Sequence, residues 1–158
     1  MIIGHPAVSK LEERYLGAAP VPVFVAGVFP DLLDKALCQG LHLTASGRMW
    51  GHTLLGLGLT SAFVGLIWGK RALWSWALGY FSHLLCDVGG FVPWFYPFLD
   101  YDFESSPTLW ITLQRFFNDP RRWGTEGALS LWAVATVLWP WLRKGLRDKQ
   151  RTVMDVGG

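Results

Sequence analysis

The feature that most constrains this chain is a long stretch without formal charge. Residues 49–69 contain no Asp, Glu, Lys or Arg. The hydrocarbon core of a bilayer is crossed by about 20 apolar residues of helix, so this stretch predicts a membrane-spanning helix. Residues 72–99 carry one charged side chain, Asp87, and residues 127–142 carry none. We therefore predict further spans in both of these stretches.

Residues 15–30 are also apolar, but three prolines interrupt them, Pro20, Pro22 and Pro30. Each proline lacks a backbone N–H, and lipid cannot replace the missing hydrogen bond. This segment is therefore predicted to be short and broken, or re-entrant. The sequence predicts an all-α fold, a polytopic transmembrane helical bundle with about three full spans plus this segment, in a single domain over residues 1–158.

Composition limits the classes of function. Charged residues make up 16% of the 158 residues, whereas soluble domains average about a quarter. The formal net charge of +2 is too small to indicate a nucleic-acid partner. Only two cysteines are present, with no CxxC pair, so any metal site has to be built from His and carboxylates. A buried all-helical core in a soluble protein is the open alternative to membrane insertion.

Lys and Arg predict the orientation of the chain, because they are enriched in cytoplasmic loops. The turn at Lys70 and Arg71 and the basic tail within 125–158 are expected on the cytoplasmic side, and residues 100–124 outside. The tail carries Arg143, Lys144, Arg147, Lys149 and Arg151. The predicted location is the plasma (inner) membrane, as a multi-pass protein in contact with bilayer lipid.

Against this apolar background, an ionisable side chain is costly and is usually retained for a task. His83 and Asp87 lie four residues apart, which places both on one face of a helix. Such a pair binds one cation, or forms a hydrogen bond that only stabilises the helix. The pair by itself leaves both interpretations open.

A third side chain is expected at the same depth. If the turn at Lys70 and Arg71 is tight, counting back at equal rise places His52 level with about residue 88. Imidazole and carboxylate ligands favour zinc, or another first-row divalent ion such as manganese. Haem ligation by His52 and His83 is a competing hypothesis, but Asp87 favours a harder cation.

Other polar residues allow two interpretations each. Asp31 and Asp34 follow Pro30, where they would cap a helix and favour its dipole, or bind metal. His42 is expected to be a solvated loop residue. Arg48 would anchor a helix at the membrane interface, or offer its guanidinium to a phosphate or a developing oxyanion.

Four short motifs stand in order along residues 1–100: GH, FPDLLDK, GRMWGHT and GYFSHLLCD. Together they resemble the YdjM-like family of membrane-bound metal-dependent hydrolases. Gly47 and Gly51 stand where many members have His and Thr, and the acidic pair is spaced Asp-x-x-Asp instead of Asp-x-Asp. The matching positions are His5, Asp31 with Asp34, Arg48, His52 with Thr53, and Gly79, His83 with Asp87.

The resemblance implies a metal-dependent hydrolase. The order of ligands is more distantly similar to that of the zinc-dependent phospholipase C and S1/P1 nuclease group, which implies phosphoester hydrolysis, with a lipid or lipid-linked phosphate as the expected substrate. Asp34 would be a ligand or general base, while Arg48 and Lys35 would neutralise charge on a phosphoryl oxygen. The alternative is a non-catalytic membrane protein that uses the same residues for helix packing or partner binding. The implied metal ligands are His5, Asp31, His52, His83 and Asp87.

Overall fold

The regular elements that the structure describes are all helical, as predicted. The structure is a computed structural model, and it describes residues 4–88, 91–103, 111, 114 and 118–156. The elements are α1 (Gly4–Leu16), α2 (Pro20–Ala26), α3 (Phe29–Lys35), a π-helical turn (Ala36–Gly40), α4 (Leu54–Trp68), α5 (Lys70–Cys86) and α6 (Pro120–Val156).

Helix α5 is the centre of the packing, with α2 and α4 against it. Gly79 of α5 allows α2 to come close, because a Cβ at this position would meet the carbonyl oxygen of Val23. Phe29 and Leu57 pack onto the core that results. The buried members of this core are Ala26, Val64, Ala72, Trp76, Tyr80, Leu84 and Val92.

Helix α1 connects this core to α6. Ala7 and Leu11 pack with Ala133 of α6 in a second apolar cluster. On its other side, α1 presents the Ser9 hydroxyl, which donates to the Val23 carbonyl of α2 at 3.3 Å. Helix α1 therefore lies beside α2 and α5, with His5 and Ser9 buried.

Local capping sets the lengths of α4 and α5. The Thr53 hydroxyl accepts from the Gly56 N–H at 2.8 Å and donates to the Trp50 carbonyl at 2.9 Å, so it caps α4. Gly69, at φ 83°, reverses the chain between the two helices, a conformation that glycine adopts without strain. Helix α5 ends at Cys86, with Asp87 as its C-cap.

The predicted transmembrane bundle is wrong. Among the described residues, no helix combines the length and the apolar character needed to cross a bilayer. Helix α4 does not begin until Leu54 and has 15 residues. Helix α5 ends at Cys86 and has 17 residues. At about 1.5 Å per residue they extend roughly 23 and 26 Å, less than the roughly 30 Å of a hydrocarbon core.

The third predicted span fails for a different reason. Helix α6 is long, with 37 residues, but the charge-free residues 127–142 are bounded by Glu126 and Arg143. The multi-pass topology is therefore not supported, while the sidedness of the tail and of residues 100–124 stays a prediction. Residues 104–110 of that loop lie outside the described residues. The predicted broken segment 15–30 contains α2, together with the end of α1 and the start of α3.

Candidate metal centre

Asp34 joins the end of α3 to the loop that precedes α4. It is fully buried, and its Oδ1 accepts the Gly51 N–H at 2.7 Å. Its Oδ2 accepts the Met49 N–H at 2.7 Å and lies 2.8 Å from His52 Nδ1. A buried carboxylate is costly unless it is paired in this way, so these bonds fix the position of the loop as well as that of the carboxylate.

His52 is oriented by Asp34. Because its Nδ1 donates to the carboxylate, Nε2 points to the other side, where three potential ligands converge. His52 Nε2 lies 3.4 Å from His83 Nε2, 3.5 Å from Asp87 Oδ2 and 3.7 Å from Asp31 Oδ1. Histidine ligands of metals are typically held by a carboxylate on their other nitrogen in this way.

His83 is oriented in a similar manner by the backbone. Its Nδ1 donates to the Gly27 carbonyl at 2.8 Å, and its Nε2 then faces the same centre as His52 Nε2. Burial, assisted by the nearby His5, lowers the pKa of His83 to about 4. His83 is therefore neutral at physiological pH, which is the form that binds a metal.

Asp31, His52, His83 and Asp87 form one group, here called the ligand cluster. Each offers one ligand atom, and these atoms all lie within 4.8 Å of one another. Ligands held tetrahedrally at about 2.0–2.1 Å from zinc are about 3.3–3.4 Å apart. The separations from His52 Nε2 are close to this spacing and longer than good hydrogen bonds. These four side chains fit a small divalent cation.

The charges of the carboxylates favour a cation at this centre. Burial opposes ionisation of Asp87, but the adjacent imidazoles of His5 and His52 and the charge of Arg48 hold the pKa of Asp87 well below its usual range. Burial also opposes a charge on His52, yet its hydrogen bond to Asp34, the adjacent Asp87 carboxylate and the charge of Asp31 raise the pKa of His52. The carboxylates that favour a proton on this imidazole would equally favour a metal ion.

His5 lies beside the ligand cluster. It is 4% exposed, and its ring stacks on that of His83 with centroids 3.9 Å apart and planes at 24°. Its Nε2 is 3.6 Å from Asp87 Oδ1. Neither ring nitrogen of His5 forms a hydrogen bond with the part of the chain that the structure describes, which is costly for a buried polar group. The structure thus brings His5 to Asp87, outside the group of four.

Two cations stand at the exposed edge of the ligand cluster. The Asp31 side chain is 26% exposed, whereas those of His52 and Asp87 are nearly inaccessible. Lys35 Nζ lies 3.3 Å from Asp31 Oδ2, and Arg48 Nη2 lies 2.7 Å from Asp87 Oδ2. Asp31 is therefore more accessible to a ligand from solvent than His52 or Asp87, and each of the two cations pairs with one carboxylate of the cluster.

Sequence reasoning missed two groups that support the site. The Gly27 carbonyl orients His83, and no sequence pattern distinguishes one backbone carbonyl from another. The Tyr80 hydroxyl donates to the Gly51 carbonyl at 2.6 Å. The sequence feature that could have identified Tyr80 is its position three residues before His83, which places the two side chains on neighbouring parts of one helix face.

These features belong to a helical protein with a preformed group of His and carboxylate ligands. The sequence model of the YdjM inner membrane protein family matches residues 2–146, and the chain therefore belongs to this family. No curated protein and no solved structure matches it. The family description gives a membrane location and no reaction, so the resemblance to metal-dependent hydrolases remains a prediction.

Proposed function

We propose that this membrane-associated protein is a metal-dependent hydrolase that uses the ligand cluster to hold a divalent cation. The observation that carries the proposal is the convergence of two imidazoles, each already oriented through its Nδ1, on two carboxylates. Oriented ligands of this kind are typical of metal centres. Zinc is the favoured ion, with manganese as the alternative, because imidazole and carboxylate suit both.

His5 is proposed as a further metal ligand. Its imidazole is buried beside Asp87 and makes no hydrogen bond with the described residues. A cation near Asp87 Oδ1 would satisfy His5 Nε2 and relieve the cost of burying it. His5 reaches the opposite oxygen of Asp87 from the one that faces His52.

The cation, when bound, would activate water and polarise the bond to be cleaved. The sequence predicts that Asp34 is a metal ligand or a general base, but we propose that it orients His52 instead. Both of its oxygens are already engaged, by two backbone N–H groups and by His52. Asp34 therefore holds His52 in the orientation and tautomer that leave Nε2 for the metal.

Arg48 and Lys35 point to an anionic substrate. Both lie at the exposed edge of the site, where a phosphoryl group would meet a planar guanidinium and an ammonium. Exposed Leu32 and Trp50 are close neighbours in sequence of Asp31 and Arg48. Cations together with exposed apolar side chains suit an amphiphile, so we propose a phosphoester of a lipid or lipid-linked molecule as the substrate.

The test begins with metal-depleted protein. Zinc and manganese are titrated in separately, and turnover is measured on phosphomonoesters, phosphodiesters and short-chain lipid phosphates. We expect near-stoichiometric metal binding and turnover that is lost with a chelator and restored by the metal. His83→Ala, which removes one ligand, provides the background.

Two results would overturn the proposal in different ways. No binding of either ion by folded wild-type protein would remove the metal site itself. Stoichiometric binding without turnover above the His83→Ala background, on every phosphoester, would leave a metal site without this hydrolase activity. The second result would favour the non-catalytic role that sequence analysis left open.

A further inference from the structure

Tyr80 connects the middle of α5 to the loop that carries His52. Its side chain is completely buried, and its hydroxyl donates to the Gly51 carbonyl at 2.6 Å. Burial, followed by the negative charge of Asp34, raises the pKa of Tyr80. The hydroxyl therefore remains a hydrogen-bond donor throughout the physiological range.

Gly51 is held from both sides of its backbone. Its carbonyl accepts from Tyr80, and its N–H donates to Asp34. Its Cα lies against α3, since an added Cβ would approach the Pro30 carbonyl oxygen to 2.6 Å. The next residue is His52. A movement of Gly51 would therefore change both the Asp34 carboxylate and the imidazole that this carboxylate orients.

We infer that Tyr80 is a positioning residue that sets the metal affinity of the ligand cluster without touching the metal. The chain of contacts runs from the Tyr80 hydroxyl through the Gly51 peptide and the Asp34 carboxylate to His52 Nδ1. This inference rests on the proposed metal site and gives a role to a residue to which neither the family resemblance nor the ligand geometry assigns one. Groups behind metal ligands typically contribute about 10–100-fold to metal affinity.

The test is Tyr80→Phe, which removes only the hydroxyl. We expect the zinc dissociation constant to rise about 10-fold, measured by competition with a chromogenic chelator. The visible absorption of the cobalt-substituted protein should also change, because it reports ligand geometry. A purely structural role would lower the unfolding midpoint and leave the cobalt spectrum unchanged.

Thr60→Val is the matched control. Thr60 accepts the indole N–H of Trp76 at 3.0 Å, and Trp76 lies one turn before Tyr80 on α5. The control removes a hydrogen bond between α4 and α5 that is partly buried and lies one turn farther from His83 along α5. It should reduce thermal stability and leave the zinc dissociation constant within about twofold.

The outcomes separate this inference from the proposed function. Equal zinc affinity in wild type, Tyr80→Phe and Thr60→Val would overturn the role of Tyr80 and leave the metal site standing. Absence of zinc binding in the wild type would overturn the metal site first.

If Tyr80→Phe does not fold, hydrogen exchange of the metal-free wild-type protein answers the question. The amide protons of Met49 and Gly51 should then exchange as slowly as those in the middle of α5. Rapid exchange at both would show that the loop is not held and would overturn the inference.

Discussion

Polarity is distributed in opposite ways in two regions of this protein. Around the ligand cluster, Asp34 and His52 are completely buried, while on the outward faces of α4 and α6 the apolar side chains of Leu66 and Leu131 are 86% and 72% exposed. Large exposed apolar surfaces are unfavourable in water, and they fit the membrane association of the family. Around the ligand cluster, by contrast, directional hydrogen bonds between buried polar groups order the interior, in addition to apolar burial.

The most severe test of the polar interior removes a ligand. His83→Ala should weaken zinc binding by more than the roughly 10–100-fold expected for a group behind the ligands. His42→Asn is the control, because His42 is exposed and its φ of 53° is one that asparagine tolerates. Metal content measured on folded protein decides the result. Equal zinc affinity in both variants would mean that the buried polar region serves packing only.

Arg48 tests whether the exposed edge of that region takes part in turnover. Arg48→Ala should retain the metal and reduce phosphoester turnover by about 100-fold, the scale for loss of one preorganised donor. Arg48→Lys should restore little, because a point charge does not reproduce a planar fork. If Arg48 only neutralises Asp87, Lys would restore turnover, and steady-state kinetics distinguishes the two cases.

Replacing one glycine in each region by alanine tests how tightly the two regions are packed. Gly51→Ala would place a Cβ against the Pro30 backbone, so we expect the free energy of unfolding to fall by about 1–3 kcal/mol. At Gly58, on the exposed side of α4, an added Cβ meets nothing within 4 Å among the described residues. Gly58→Ala should raise the free energy of unfolding by about 0.5–1 kcal/mol. Chemical denaturation measures both, and equal effects would contradict the contrast.

The smallest expected effect concerns Glu12, a buried carboxyl of α1 outside the ligand cluster. Burial raises the pKa of Glu12 in the folded protein above its ordinary value of 4.5. The folded state therefore loses stability as the pH rises through the pKa that Glu12 has in the folded protein. Below the pKa of Glu12 in the unfolded chain, this loss is absent. Glu12→Gln should therefore raise Tm by roughly 2 °C at pH 7.5, a modest shift for a chain of this size.

The gain from Glu12→Gln should disappear near pH 4, where both states hold the proton. Glu13→Gln is its control, because Glu13 is partly exposed and paired with Lys10. A gain of the same size at both pH values would rule out ionisation of Glu12 as the cause. Thermal unfolding of the two variants at the two pH values provides the comparison.

The helical class and the His83 and Asp87 pair could be predicted from sequence because both depend on local geometry. Four residues along a helix return to the same face whatever the remainder of the chain does. The meeting of His52 with this pair was predicted from equal depth on two antiparallel helices. The structure brings these side chains together even though the helices are shorter than that prediction assumed.

The ends of α4 and α5, the orientation of both imidazoles and the part of Asp34 depended on the tertiary structure. Charge-free composition alone did not show that Thr53 would cap α4 or that residues 49–52 would bind Asp34 and not extend the helix. The contacts of Asp34 join residues 15 to 18 positions apart in sequence, and their partners include backbone groups that every residue carries. The sequence by itself determined which side chains were available as ligands, and only the tertiary structure decided which of their atoms face one another.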